Sequence, residues 1–137
     1  MRVRRYLCTR CDSVLTVVPR EIVARRHFGA GAIGVAIALL GLLGRMQHAV
    51  RDAVGGRSGS RSGWITLRRW LRAIVDARLF GAIGALSAHD RASPSAQLAA
   101  VISQRLRGFG PRPEVTLGAP PILAEVYAGA VHIARAA

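Results

Sequence analysis

The longest apolar run in the chain is Phe28–Gly44, FGAGAIGVAIALLGLLG, which has no charged or strongly polar side chain over 17 residues. A helix can be apolar on nearly every face when neighbouring elements wrap it. A membrane-spanning helix needs about 20 apolar residues, with about 17 as the lower limit. The five glycines of the run also lower its hydrophobicity and helix propensity. The stretch therefore predicts the buried first helix of a small helical domain.

The same run leaves a second interpretation open. Arg25, Arg26 and His27 flank it on one side and Arg45 on the other. A span over residues 28–44 would place basic residues at both lipid headgroup layers, and the positive-inside rule then assigns no orientation. The alternative is therefore a small single-span protein of the inner membrane.

Two short β-type segments lie upstream of the run. They are Arg4–Leu7 and Ser13–Val18, and a tight turn at residues 8–11 separates them. The second segment is rich in β-branched residues, and Pro19 ends it because proline cannot continue a strand ladder. The pattern predicts an N-terminal β-hairpin of the zinc-knuckle type.

The two cysteines of this turn supply half of a tetrahedral thiolate site. A structural zinc ion takes four ligands, and the nearest candidate beyond Cys8 and Cys11 is His27, in the spacing C-x2-C-x15-H. The next histidine, His48, lies beyond the apolar run. We therefore expect a weak or incomplete zinc site, with two reduced thiols in a degenerate knuckle as an equal alternative. Such cysteine usage points to a reducing compartment.

The clearest amphipathic helix is Trp64–Phe80, WITLRRWLRAIVDARLF, which follows a flexible loop of Gly, Ser and Arg at residues 55–63. Thr66 or Ser62 is its candidate N-cap. Its apolar side chains recur at three- and four-residue spacing, which predicts one buried face. The buried positions are Leu67, Trp70, Leu71, Ile74 and Val75, and the other side holds Arg68, Arg69 and Arg72.

Further helices flank this segment on both sides. A helical pattern extends from about Arg20 to Val54 and contains the apolar run. Ser93 as N-cap, followed by proline, marks the start of another helix that ends at Gly108. Ile122–Ala136 predicts a last, Ala-rich helix.

These segments combine into a mainly α fold with a small N-terminal β-hairpin. We predict a half zinc-ribbon hairpin at residues 1–20 and a helix-turn-helix-like helical module at residues 21–80. Residues 81–137 form a C-terminal helical segment with a Pro/Gly linker. A length of 137 residues is typical of a single domain or of two small lobes.

The charge of the chain is strongly basic and unevenly distributed. All 20 basic residues are arginine, and the net charge is +13. Residues 1–78 hold 15 arginines against four acidic residues, a net of +11, whereas residues 79–137 hold five against three, a net of +2. A genome rich in G and C explains the choice of arginine over lysine but not this asymmetry. The electrostatic field of a half-chain with a net charge of +11 attracts phosphate polyanions.

Arginines in three segments are the candidate nucleic-acid contacts. A solvated surface is the ordinary role of such a helical face, but here only Asp76 lies at i+4 from an arginine of the helix. Arginine also forms bidentate contacts with phosphates and guanine edges. The candidates are Arg68, Arg69 and Arg72 on the helix, Arg57 and Arg61 in the preceding loop, and Arg4, Arg5 and Arg10 in the hairpin.

Motifs of catalysis are missing from the sequence. The seven carboxylates are scattered, and neither a phosphate loop nor a nucleophile–base arrangement stands in a suitable context. We therefore expect a protein that is not an enzyme and that has no small-molecule substrate.

The order of motifs resembles a group of short bacterial proteins in which a transposase-type zinc ribbon precedes a helix-turn-helix. The resemblance covers roughly residues 2–80. It depends on R-R-Y-x-C-x-x-C at 4–11, V-L-T-V-V-P-R at 14–20 and W-x-T-L-R-R-W-L-R-A at 64–73. These proteins are similar to the N-terminal part of insertion-sequence transposases, where a basic ribbon and a helical module hold the DNA ends of the element.

What the resemblance implies is a cytoplasmic, nucleoid-associated DNA-binding protein, either an accessory or a remnant of a mobile element. The earlier C-P-x-C-G-type pair of such families is not in this sequence. Either the ribbon has decayed or the start codon lies downstream of the true one. A decayed product without function and a homodimer are both compatible with the sequence.

Overall fold

The computed structural model describes residues 4–7, 9–11, 14–17, 28–54, 64–111 and 120–136. Over these ranges the fold is mainly helical, as the sequence predicts. The strands are β1 (Arg4–Leu7) and β2 (Val14–Val17). The helices are α1 (Ala30–Gly41), α2 (Gln47–Ala53), α3 (Ile65–Val75), α4 (Ala88–Ala92), α5 (Ser95–Arg107) and α6 (Pro121–Ala136), with a 3₁₀ turn at Gly81–Ile83.

The two strands pair antiparallel. Arg4 lies opposite Val17 and Leu7 lies opposite Val14. The chain turns between the strands at residues 9–11.

The apolar run forms the centre of the helical core. Helix α1 takes 12 of its residues, and Ile33, Ala36 and Ile37 are completely buried. It packs against both α5 and α6, and one continuous apolar cluster joins α1 to α3, α5 and α6. The prediction of a buried core helix is therefore confirmed. In the part of the chain that the structure describes, no helix is long and apolar enough to cross a membrane.

Two glycines of α1 allow its neighbours to approach closely. A Cβ atom on Gly34 would lie 2.8 Å from the Cβ of Ala130 on α6. On Gly41 a Cβ would overlap the backbone of Ala99 and Ala100 on α5. Glycine lowers helix propensity, so Gly34 and Gly41 serve packing between helices rather than the helix itself.

The run ends in a sharp reversal instead of continuing into one long helix. Gly44 adopts the left-handed conformation, with φ of +58°, and the N–H of Arg45 donates to the carbonyl of Leu39 at 2.9 Å. A left-handed residue of this kind is a common way to close a helix, and glycine adopts it without a steric penalty. The predicted helical pattern from Arg20 to Val54 is therefore two helices over the described residues 28–54, α1 and α2.

The C-terminal helices follow the sequence pattern with one shift. Helix α5 begins at Ser95 with Pro94 at the N-cap position, so Ser93 is not the cap. The hydroxyl of Ser93 instead donates to the carbonyl of His89 at 2.9 Å. Gly108 ends α5 as predicted, and α6 covers the predicted last helix. The linker of residues 112–119 lies outside the described residues.

Arg105 on α5 holds the segment that joins α3 to α4. Its Nη1 donates to the carbonyl of Ala85 at 2.9 Å and lies 3.3 Å from that of Ile83. Its Nη2 lies 3.8 Å from the carboxylate of Asp90, next to the capping box that starts α4. One guanidinium therefore fixes backbone carbonyls that have no helical partner.

Candidate nucleic-acid interface

Helix α3 separates its apolar and basic residues on opposite sides. The predicted apolar positions Leu67, Trp70, Leu71 and Ile74 are buried, and Val75 is half-buried. The predicted arginines, Arg68, Arg69 and Arg72, are all exposed on the other side. The helical period of the sequence thus placed both faces correctly.

Three aromatic rings anchor this helix. The ring centroid of Phe28 lies 5.8 Å from that of Trp64 and 5.1 Å from that of Trp70. The centroids of the two indoles lie 5.0 Å apart, and all three pairs have edge-to-face geometry. Such pairs add about 0.5–1.5 kcal/mol each beyond the burial of their area. The cluster fixes α3 against the residue that leads into α1, so the arginine side is carried on a rigid element.

The start of α3 is held by α2 rather than by its own cap. The N-cap position belongs to Trp64 and not to Thr66, and Ser62 lies outside the described residues. The backbone N–H of Trp64 donates to Oε1 of Gln47 at 2.9 Å. Sequence reasoning missed this contact because its two partners are 17 residues apart.

The helix is also shorter than predicted. It ends at Val75 instead of Phe80, because Ala77 adopts a left-handed conformation with φ of 54°. The N–H of Arg78 then donates to the carbonyl of Ala73 at 2.8 Å, which satisfies the last turn of the helix. Asp76 is consequently outside the helix.

The carboxylates of the described segments pair with arginines outside the α3 face. Asp52 lies 3.5 Å from Arg51 and Asp90 lies 3.8 Å from Arg105. Asp76 pairs with Arg78, and Glu125 pairs with Arg107. Among the residues that the structure describes, no carboxylate lies within 4.0 Å of Arg68, Arg69 or Arg72. The three charges of α3 are therefore not neutralised by these acidic groups.

The other candidate residues are only partly described. Arg10 and Cys11 are exposed in the turn between the strands. Arg4 and Arg5 belong to β1, but their side chains are not described. Cys8, His27, Arg57 and Arg61 lie outside the described residues. Within the described segments no group of three or more His, Cys, Asp or Glu side chains could hold a metal ion.

The exposure of Ile65 on the α3 surface was not predicted from the sequence. This residue lies in the first turn of the helix, and 60% of its surface is exposed. It shares the spacing i, i+3, i+4 and i+7 with the three arginines, and this spacing alone could have revealed it. The exposed surface of α3 is therefore an arginine stripe with one apolar residue at its N-terminal end.

Comparisons with known proteins give no relationship: no protein-family model matches the chain, and neither curated proteins nor solved structures give a significant match.

Proposed function

We propose that this protein binds DNA as an accessory or remnant protein of the transposase type. The contacts are made by the exposed arginines of α3 and by the basic residues of the β1–β2 hairpin. One observation carries the proposal. Three arginines share a solvent-facing side of a rigid helix, and the described carboxylates are paired with other arginines. Phosphate contacts supply most of the affinity of such interfaces.

The hairpin is proposed to act as half of a zinc ribbon that lies along the phosphate backbone through Arg4, Arg5 and Arg10. The helical part presents α3 in a different way from a tight helix-turn-helix. Residues 54–64 join α2 to α3, which is longer than the three- to four-residue turn of that motif. The position of α3 is set by the aromatic cluster and Gln47 instead of by a short turn.

A DNA partner implies a cytoplasmic, nucleoid-associated location. A homodimer would present two arginine stripes and would match a two-fold symmetric site.

Fluorescence titration of labelled duplex DNA at several salt concentrations tests the proposal. The logarithm of the binding constant should fall linearly with the logarithm of the salt concentration, by about 0.9 for each phosphate contacted. Replacing Arg68, Arg69 and Arg72 by alanine should weaken binding and reduce that slope. The matched control replaces Arg91, Arg112 and Arg135, which removes the same charge from the C-terminal half.

Two results would contradict the proposal. A flat salt dependence would show that phosphates are not contacted. Equal losses in the two triple variants would show that net charge, rather than the α3 face, attracts the DNA.

A further inference from the structure

The exposed side of α3 combines one apolar and three cationic side chains. Ile65, Arg68, Arg69 and Arg72 are all exposed and recur at helical spacing. With 60% of its surface exposed, Ile65 contributes only a part of the stabilisation that full burial of an isoleucine would give the fold. Its position in the stripe points to a partner that offers both phosphates and an apolar group.

The aromatic residues of α3 are not available to such a partner. Proteins that hold single strands stack bases on exposed aromatic rings. Here Trp64 is 9% exposed and Trp70 is 1% exposed, and both indoles pack edge-to-face against each other and against Phe28. This helix therefore offers no exposed aromatic ring on which bases could stack, which favours a duplex over a single strand.

We infer that the α3 face takes B-form DNA in the major groove, with Ile65 against the C5-methyl group of thymine and the arginines toward the flanking phosphates. Thymine is the one base that presents a methyl group in this groove, and apolar side chains are its usual contact. The first turn of a recognition helix is also the part that reaches base edges. Duplex RNA has neither the methyl group nor a major groove that side chains can read.

The diameter of the helix agrees with this placement. An α-helix with its side chains is about 10–12 Å across, and the B-DNA major groove is about 12 Å wide. The helix carries no acidic residue over its whole length, Ile65–Val75. Ile65 would therefore act as a specificity-determining residue. This role rests on the proposed function, because it needs the arginines to hold the duplex.

The test uses the full chain and two duplexes of alternating A·T sequence, one with thymine and one in which every thymine is replaced by deoxyuracil. The two probes differ in the C5-methyl group alone. The protein should bind the thymine duplex about fourfold more tightly for each methyl group that it buries. Ile65→Ser should bind both duplexes equally and keep the salt dependence of the native chain. Phe109→Ser, a change at an exposed apolar residue beyond α5, should keep the preference for thymine.

The outcomes separate this inference from the function on which it rests. Equal binding to both duplexes by the native chain, with a steep salt dependence, would overturn the role of Ile65 and leave DNA binding in place. Absence of salt-dependent binding to either duplex would overturn both. Tighter binding to single-stranded oligothymidine, or to phosphatidylglycerol vesicles, would replace the duplex by another partner.

Discussion

The backbone N–H of Trp64 and the side-chain oxygen of Gln47 form a hydrogen bond of 2.9 Å that joins the start of α3 to the start of α2. Trp64 also belongs to the aromatic cluster, so its position is set from two directions. The arginine stripe begins one turn later. The direction in which α3 presents its charges therefore depends on a contact with a different helix.

Removing this acceptor should loosen the N-terminal turn of α3. In Gln47→Ala the N–H of Trp64 is left without its partner in a partly buried position, at a cost of about 1 kcal/mol. Hydrogen exchange at the Trp64 amide should accelerate, and the urea midpoint should fall. Gln47→Glu retains an acceptor oxygen and is the matched control. Unchanged exchange in Gln47→Ala would show that the contact does not hold the helix.

The aromatic cluster should be the most sensitive part of the fold. Trp70 is almost completely buried against two other rings, and truncation of such a side chain to alanine costs about 3–5 kcal/mol. The free energy of unfolding of a small domain is about 5–15 kcal/mol in total. Trp70→Ala should therefore lower the melting temperature strongly, and Trp70→Phe should lower it less. Ile65→Ala, a change at the exposed side of the same helix, should change stability by less than about 0.5 kcal/mol. A comparable loss in Ile65→Ala and Trp70→Ala would contradict the assignment of the two faces.

The close approach of α1 and α5 predicts opposite effects for two glycine substitutions. In Gly41→Ala the new methyl group meets the backbone of Ala100, so the helices must separate, at a cost of about 1–3 kcal/mol. Gly81 has an ordinary φ, and a methyl group added there would have open space around it, with nothing within 4 Å. Gly81→Ala should therefore be neutral or stabilise the fold by up to about 1 kcal/mol, because alanine lowers the conformational entropy of the unfolded chain. Urea denaturation of both variants measures the difference, and equal effects would refute the packing argument.

Local patterns in the sequence predicted the two faces of α3, because a 3.6-residue period depends on one helix alone. They did not predict the break between α1 and α2. The glycines of the apolar run could serve a turn or a close approach, and only the contact of Gly41 with α5 and the positive φ of Gly44 separate the two roles. The cap of α3 was missed for a similar reason, since its acceptor is on another helix. The exposed Ile65 was within reach of the sequence, by the spacing it shares with the arginines.

The capping box of α4 predicts a pH dependence of stability at acidic pH. Hydrogen bonding with the Ser87 side chain is the largest cause that lowers the pKa of Asp90 below its ordinary value of 3.8. The hydrogen bond from the backbone N–H of Ser87 and the charge of Arg105 lower it further. A carboxyl whose pKa is lowered on folding stabilises the native state above its unfolded pKa, and this contribution is lost as the pH falls through the folded pKa. At neutral pH the native chain should therefore have a higher melting temperature than the Asp90→Asn variant. That difference should shrink below about pH 4, and a difference independent of pH would contradict the assignment.

The helical core and the cysteine turn should respond independently to loss of metal. Cys8 and Cys11 supply two thiolates, whereas structural zinc needs four ligands. The apolar cluster that joins α1, α3, α5 and α6 consists of side chains of the helices and of the segments between them. Zinc should therefore bind weakly, and a chelator should leave the helical circular dichroism of the chain unchanged. Cys8→Ser with Cys11→Ser should give the same spectrum and abolish the weak binding. Zinc that is stoichiometric and resists a chelator would contradict this prediction, and it would mean that His27 or a second chain completes the site.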